Sequence, residues 1–211
     1  MLNSEQIEEL FTRFKSRDGI SEKRPNVKKE ADYFRSLVSC LLSAQSKDEN
    51  TAKAKNALFA HADTAETILK LEDDVIAAAI KPCGLYNVKT KNLRKMCTAL
   101  LENHQGIVPK TREGLMSLPG IGRKCADIML RFSFQEATIA VDTHVYRVCE
   151  RLGLTSAKTE KEAAEQLDLN APDWSKFDGH EWLINFGKDI CHARSPKCHM
   201  CFLSDLCESA P

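Results

Sequence analysis

Four cysteines in the last stretch of the sequence, Cys191, Cys198, Cys201 and Cys207, are spaced C-x6-C-x2-C-x5-C. Four soft thiolates in one short loop suit an iron–sulfur cluster or zinc. Structural zinc sites usually pair two close Cys-x2-Cys turns, and only one such turn exists here, which favours the bulkier cluster. His192 and His199 lie in the same loop and keep zinc as the alternative. Arg194 and Lys197 stand between the first two cysteines, so the loop could also meet phosphate. The other five thiols, Cys40, Cys83, Cys97, Cys125 and Cys149, fall in helical patterns and read as core thiols.

A second group lies at residues 111–130. Helical spacing on both sides is interrupted by Pro119-Gly120-Ile121-Gly122. Two glycines let the backbone turn tightly and approach another molecule closely. The amides after the turn open a helix, and unpaired N–H groups there bind anions. Ile121 can anchor the turn in the core. This is the pattern of a helix-hairpin-helix, which holds a nucleic-acid backbone phosphate without reading sequence. An ordinary αα-hairpin is the bland alternative.

Lys124 falls in the first turn of the second hairpin helix. A free lysine, with a pKa of ~10.4, is neutral only about one time in a thousand near pH 7. The helix dipole disfavours a cation at that position, and burial would disfavour it further. A nucleophilic, Schiff-base-forming amine needs that effect. Asp142, in Ala140-Val141-Asp142-Thr143-His144, reads first as a helix N-cap, because Val141, Val145, Val148 and Leu152 then form a stripe. Capping and catalysis can coexist, since a cap faces outward from the helix end. His144 reads as structural.

The elements that must carry these residues are helical. Ile7, Leu10, Phe11 and Phe14 follow a one-face spacing, as do Phe34, Leu37, Val38, Leu41 and Leu42, and Leu93, Met96, Cys97, Leu100 and Leu101. No convincing alternating run is present, so an all-α fold of about ten helices is expected, with a polar linker at Ser16 to Lys29. With 211 residues, 43% hydrophobic and 28% charged, the chain has the composition of a soluble globular protein. The longest apolar run, Val75 to Ile80, is too short to cross a membrane, and the first residues lack a signal peptide's apolar segment. A cytoplasmic, nucleoid-associated monomer is expected, with its cysteines reduced or metal-bound. Thirty basic and thirty acidic residues cancel, yet charge is sorted along the chain. Lys81, Lys89, Lys91, Arg94, Lys95, Lys110, Arg112, Arg123 and Lys124 face only Glu102 and Glu113, giving that stretch +7. Such a stretch around a hairpin is a polyanion footprint.

Taken together these groups resemble the endonuclease III family, bifunctional DNA glycosylases and abasic-site lyases for oxidised pyrimidines. The match runs from about Phe34 to Cys207. It includes Leu-Leu-Ser-Ala-Gln at 41–45, Gly-Leu-Tyr-Asn at 84–87, Leu-Pro-Gly-Ile-Gly-Arg-Lys at 118–124, Ala-Val-Asp-Thr-His at 140–144 and the four-cysteine loop. The resemblance implies a helix-hairpin-helix glycosylase fold. A six-helix barrel at 26–136 would be joined by a helical domain at 1–25 and 137–211 that holds a [4Fe-4S] cluster. It implies a cleft for damaged or abasic duplex DNA, with Lys124 and Asp142 facing it. Gln45 and Leu85 would fill and wedge the duplex, and Gly120, Gly122, Arg123, Arg194 and Lys197 would meet its backbone. Read in isolation, Gln45 is a helix-end polar residue and Leu85 a core residue.

The chain departs from the family where Cys125, Ala126 and Asp127 follow the lysine in place of threonine, alanine and asparagine. Asp127 places a negative charge one helical turn from Lys124. Lys47 replaces a small polar residue, and Gln135-Glu136-Ala137 a Gly-x-Pro turn. Two rivals remain at this level. A monofunctional relative, such as a mismatch adenine glycosylase, usually lacks the lysine and carries an extra C-terminal domain. A non-catalytic DNA-binding module explains the hairpin but not Lys124 and Asp142 together.

Overall fold

The computed structural model describes residues 1–19 and 30–211. Among them there are eleven α-helices, three short 3-10 turns and no strand. None of these helices is long and apolar enough to cross a membrane. The chain divides into two compact units, Met1–Arg24 with Gln135–Pro211, and Pro25–Phe134.

In the second unit, the described residues form α2 (Glu30–Ser43), α3 (Asp48–Phe59), α4 (Ala65–Leu69), α5 (Asp73–Ile80), α6 (Tyr86–His104), α7 (Arg112–Met116) and α8 (Arg123–Ser133). The stripes read from the sequence become its core. Leu37, Val38 and Leu42 on α2 and Leu93, Met96, Cys97 and Leu100 on α6 are buried together with Ile68, Ile76, Leu115 and Met129. Thr64 and Thr111 start α4 and α7 by accepting from amides three residues on. A 3-10 turn at Lys81–Cys83 stops α5 and passes the chain through Gly84 into α6.

In the first unit, α1 (Ser4–Asp18) packs with α9 (Thr143–Leu152), α10 (Glu160–Asn170) and α11 (Gly179–Asp189). Asn3 and Gln6 close a capping box at the start of α1. The Phe14 ring stacks parallel to Trp182 at 6.3 Å and meets Phe186 and Phe202 edge-on at 5.5 and 5.3 Å. These are the offset and T-shaped geometries that aromatic quadrupoles favour. Arg13 donates to both carboxylate oxygens of Asp205, at 2.6 and 2.9 Å, and so ties α1 to the segment that carries the last cysteines.

Two sequence expectations change here. The polar segment from Ser16 does not start a linker, because α1 continues through Asp18; residues 20–29 lie outside the described residues. The Gln135-Glu136-Ala137 turn keeps a left-handed backbone without glycine, with Gln135 at φ 61°.

Candidate DNA-binding and catalytic site

The hairpin is built from α7, the turn and α8. Leu118 and Ile121 are buried and pin the turn to the core, and the Ile121 amide donates to the Leu118 carbonyl at 3.1 Å. Gly120 has φ 83°, and a Cβ there would lie 3.2 Å from both Asn92 and Leu41 side-chain carbons. The fold itself therefore demands this glycine. Gly122 is different. It N-caps α8 with ordinary backbone angles, and a Cβ there would meet nothing within 4 Å. Gly122 has no side chain to cap α8, and a helix N-terminus opening on a glycine is the arrangement that accepts an anion.

Lys124 sits in this first turn and is exposed. The side chain stands on the solvent side of α8, while Ala126 and Asp127 take the inward side. Asp127, whose charge the sequence places one turn from Lys124, is engaged elsewhere. Its carboxylate accepts from Nε of Arg112 and Nε of Arg123, each at 2.7 Å. Burial pushes this carboxyl up, and the two guanidinium groups pull against that. The Arg112 bond joins α7 to α8 across the hairpin, and the Arg123 bond closes within the first turns of α8.

The basic footprint shrinks for a similar reason. Lys89 is buried, and its ammonium donates to the Leu42 carbonyl at 2.9 Å and the Cys83 carbonyl at 2.8 Å. Arg94 donates to the Leu69 carbonyl at 3.1 Å and to Leu71 and Asp73. Lys81, Lys91, Lys95, Lys110 and Lys124 are exposed. Sequence counting could not separate these from Lys89 and Arg94, because all are cations at helical spacing.

Gln45 and Leu85 are both exposed, and both adopt left-handed backbone, at φ 52° and 49°. Leu85 keeps 56% of its surface in water, so it is not the core residue its type suggests. A non-glycine residue in this region costs of order 1 kcal/mol or more and persists only where the surroundings fix it. Here Lys89 does part of the fixing, since Leu42 and Cys83 lie just ahead of Gln45 and Leu85. Its position was missed as a functional signal in the sequence.

In the other unit, Asp142 N-caps α9: one oxygen accepts from the His144 and Val145 amides, both at 2.9 Å. The capping reading of the sequence is therefore met, and the carboxylate retains acceptor capacity beyond these bonds. The chain before it is held by His180, whose Nδ1 lies 2.8 Å from the Ala140 carbonyl. His144 pairs with Arg147 at 3.4 Å, in keeping with a structural role.

The far end of α9 reaches the cysteine loop. Arg147 donates to the Cys191 and Gly187 carbonyls at 3.1 and 2.8 Å, and Arg151 to the His192 and Ala193 carbonyls at 2.7 and 3.0 Å. Cys191, Cys198, Cys201 and Cys207 are free thiols around a cavity of about 230 Å³, walled by Leu152, Phe186, Ile190 and Pro196. Burial pushes the Cys201 and Cys207 thiols up, and the charges of the neighbouring cysteines add to it. Four thiolates crowded in an apolar pocket need positive charge among them, which a polynuclear iron centre supplies. His192 and His199 do not line this cavity, so the donors that face it are the four sulfurs. The donor set thus fits a cluster. Arg194 and Lys197 are exposed on the same loop.

Comparison with known proteins agrees with this arrangement. Residues 38–172 match the HhH-GPD superfamily of base excision DNA repair proteins, and residues 191–207 match the iron–sulfur binding domain of endonuclease III. The chain is 40% identical over 210 residues to endonuclease III of Haemophilus influenzae, covering 98% of this chain and 97% of that protein. It is 39% identical to the Escherichia coli K12 enzyme over the same span. A solved structure of a trapped endonuclease III–DNA covalent intermediate superposes with a TM-score of 0.87 at 32% identity, covering 100% of this chain and 98% of that one. A non-covalent endonuclease III–DNA complex gives 0.86 at 32% identity, with 100% and 97% covered. The cysteine loop is accordingly the seat of a [4Fe-4S] cluster. The chain belongs to the endonuclease III family of the HhH-GPD superfamily.

Proposed function

We propose that this protein excises oxidised pyrimidines from duplex DNA and cleaves the resulting abasic site through a Schiff base on Lys124. The observation that carries the reading is the first turn of α8. A helix N-terminus opening on Gly122, open space over that glycine and an exposed Lys124 occur together there. That combination can hold a backbone phosphate and present an amine to the adjoining sugar.

A damaged base must leave the stack before its glycosidic bond is reached, at a cost of a few kcal/mol. Gln45 and Leu85, held outward in strained backbone, offset that cost by occupying the vacated space. The Lys124 amine attacks the sugar C1′ as the base departs with the bonding electrons. Asp142 stabilises the positive charge developing on the sugar and relays protons. The iminium then acidifies the C2′ proton, and β-elimination expels the 3′ phosphate. Lys81, Lys91, Lys95 and Lys110 supply backbone attraction, with Arg194 and Lys197 on the cysteine loop. Cys191, Cys198, Cys201 and Cys207 hold the cluster, which crosslinks that loop when bound.

The test is covalent trapping. Wild-type protein mixed with abasic duplex DNA and borohydride should give a stable protein–DNA adduct. Lys124→Gln should abolish the adduct and strand cleavage while DNA affinity stays, because the hairpin amides remain. An undiminished adduct in that variant would move the chemistry to another amine.

A further inference from the structure

Outside the cysteine loop the five remaining thiols are not alike. Cys83, Cys97 and Cys149 are 2%, 0% and 0% exposed. Burial pushes Cys97 up to about 12 and raises Cys149 as well, which leaves both inert. Cys40 on α2 and Cys125 on α8 pack against the core but are only partly buried. They also meet. The Cys125 sulfur donates to the Cys40 carbonyl at 3.3 Å, which brings the two residues together across α2 and α8. Cys125 is the third residue of α8, next to Lys124 and behind the N-cap Gly122. The bond to Cys40, the charge of Lys124 and the Gly122 backbone draw its thiol below the ordinary range, against desolvation. A cation, a helix N-terminus and partial access are the settings in which thiolates become reactive.

We propose that Cys40 and Cys125 are a thiol–disulfide site, oxidised by low-molecular-weight disulfides, whose closure displaces Lys124 and silences the lyase. The Cys125 thiolate attacks one sulfur of the small disulfide, forming a mixed disulfide and releasing one thiolate. Cys40 then gives its proton to solvent and attacks the Cys125 sulfur, releasing the second thiol. The pair loses two electrons, and the small disulfide gains them as two thiols. A disulfide needs its sulfurs ~2.05 Å apart. Turning the Cys125 sulfur from the Cys40 carbonyl to its sulfur, and closing to that length, draws the first turn of α8 toward α2, and Lys124 sits in that turn. The bond stands independently of the proposed function; its effect on catalysis rests on Lys124 being the nucleophile.

The experiment treats the full-length, cluster-loaded protein with oxidised glutathione and follows the cluster's visible absorbance throughout. Peptide mapping should recover a Cys40–Cys125 crosslink. Borohydride trapping should fall by about 10²-fold, the loss a misplacement of ~1 Å can cause, and dithiothreitol should restore it with the absorbance unchanged. Cys40→Ala and Cys125→Thr, each compared with its own untreated sample, should keep their trapping. Iodoacetamide at neutral pH should label Cys125 ahead of Cys97 and Cys149. Glutathione resting on Cys125 with no crosslink would overturn the pair. A crosslink with undiminished trapping would overturn the link to Lys124. Absence of trapping in the reduced wild type would count against the proposed function, while the mapped crosslink would still decide for or against the site.

Discussion

The Lys89 ammonium donates to the Leu42 carbonyl at 2.9 Å, and its second bond goes to Cys83 at 2.8 Å. One buried cation thereby fixes the end of α2 against the 3-10 turn before α6, and each of those segments leads into a left-handed residue, Gln45 or Leu85. Lys89→Met keeps the length of the side chain and strands two carbonyls. Excision from duplex DNA should slow by about tenfold or more, approaching the ~10²-fold that a 1 Å misplacement can cost. Cleavage of an abasic site in single-stranded DNA should change little, since nothing there needs extrusion. Equal losses on the two substrates, measured side by side, would mean the lysine serves stability alone.

Gly120 and Gly122 separate folding from binding two residues apart. Gly120→Ala forces a side chain into left-handed backbone beside Asn92 and Leu41, a cost of about 1–2 kcal/mol. Its melting temperature should fall by roughly 2–8 °C. Gly122→Ala meets open space and gives up only glycine's preference at an N-cap, so its melting should fall less than that of Gly120→Ala. It should weaken DNA binding at every sequence by crowding the phosphate. A salt titration checks this, because log affinity should fall by about 0.9 per neutralised phosphate for each tenfold rise in salt. Normal affinity in Gly122→Ala would exclude the α8 amides as the phosphate seat.

Legibility in the sequence tracked how local the cause was. The stripes at Ile7–Phe14 and Leu93–Leu100 became buried helix faces because 3.6-residue spacing is a local property. The cysteine loop and the Pro-Gly-x-Gly turn were legible because their chemistry lies in contiguous residues. Where a partner came from elsewhere in the chain, residue type misled. Lys89 counted as surface charge until Leu42 and Cys83 met it, and Leu85 counted as core until φ 49° turned it outward. Cys125 packs against the core as its spacing suggests, but its contact with Cys40, 85 residues away, was not legible.

Arg151 ties the cluster loop to α9 through two carbonyls, and its own carbonyl accepts from the Cys207 thiol at 3.3 Å. Holoprotein should be yellow-brown and carry about four irons per chain. Arg151→Met should lose iron to a chelator several-fold faster than wild type, followed by visible absorbance. Stoichiometric zinc with no iron in freshly purified protein would refute the cluster. Unchanged release in the variant would show that the loop holds itself.

Asp142 both caps α9 and, in the proposed mechanism, steadies the charge on the sugar; two substitutions divide these roles. Asp142→Asn keeps an oxygen for the His144 and Val145 amides, so the helix start and the melting temperature should be preserved. Asp142→Ala removes the cap, at a cost of ~1 kcal/mol, and should lower melting by about 2–4 °C. Both variants lose the carboxylate charge. If that charge assists base release, both should slow single-turnover excision by about 10²–10⁴-fold, the usual worth of a positioned acid or base. DNA affinity should hold, because the hairpin lies on α7 and α8 and is untouched. Should Asp142→Asn excise at the wild-type rate while Asp142→Ala is merely less stable, the residue is a cap and nothing more. The two measurements together decide the point, since a folding defect lowers both rate and melting temperature, whereas loss of catalytic charge lowers the rate alone in the Asn variant.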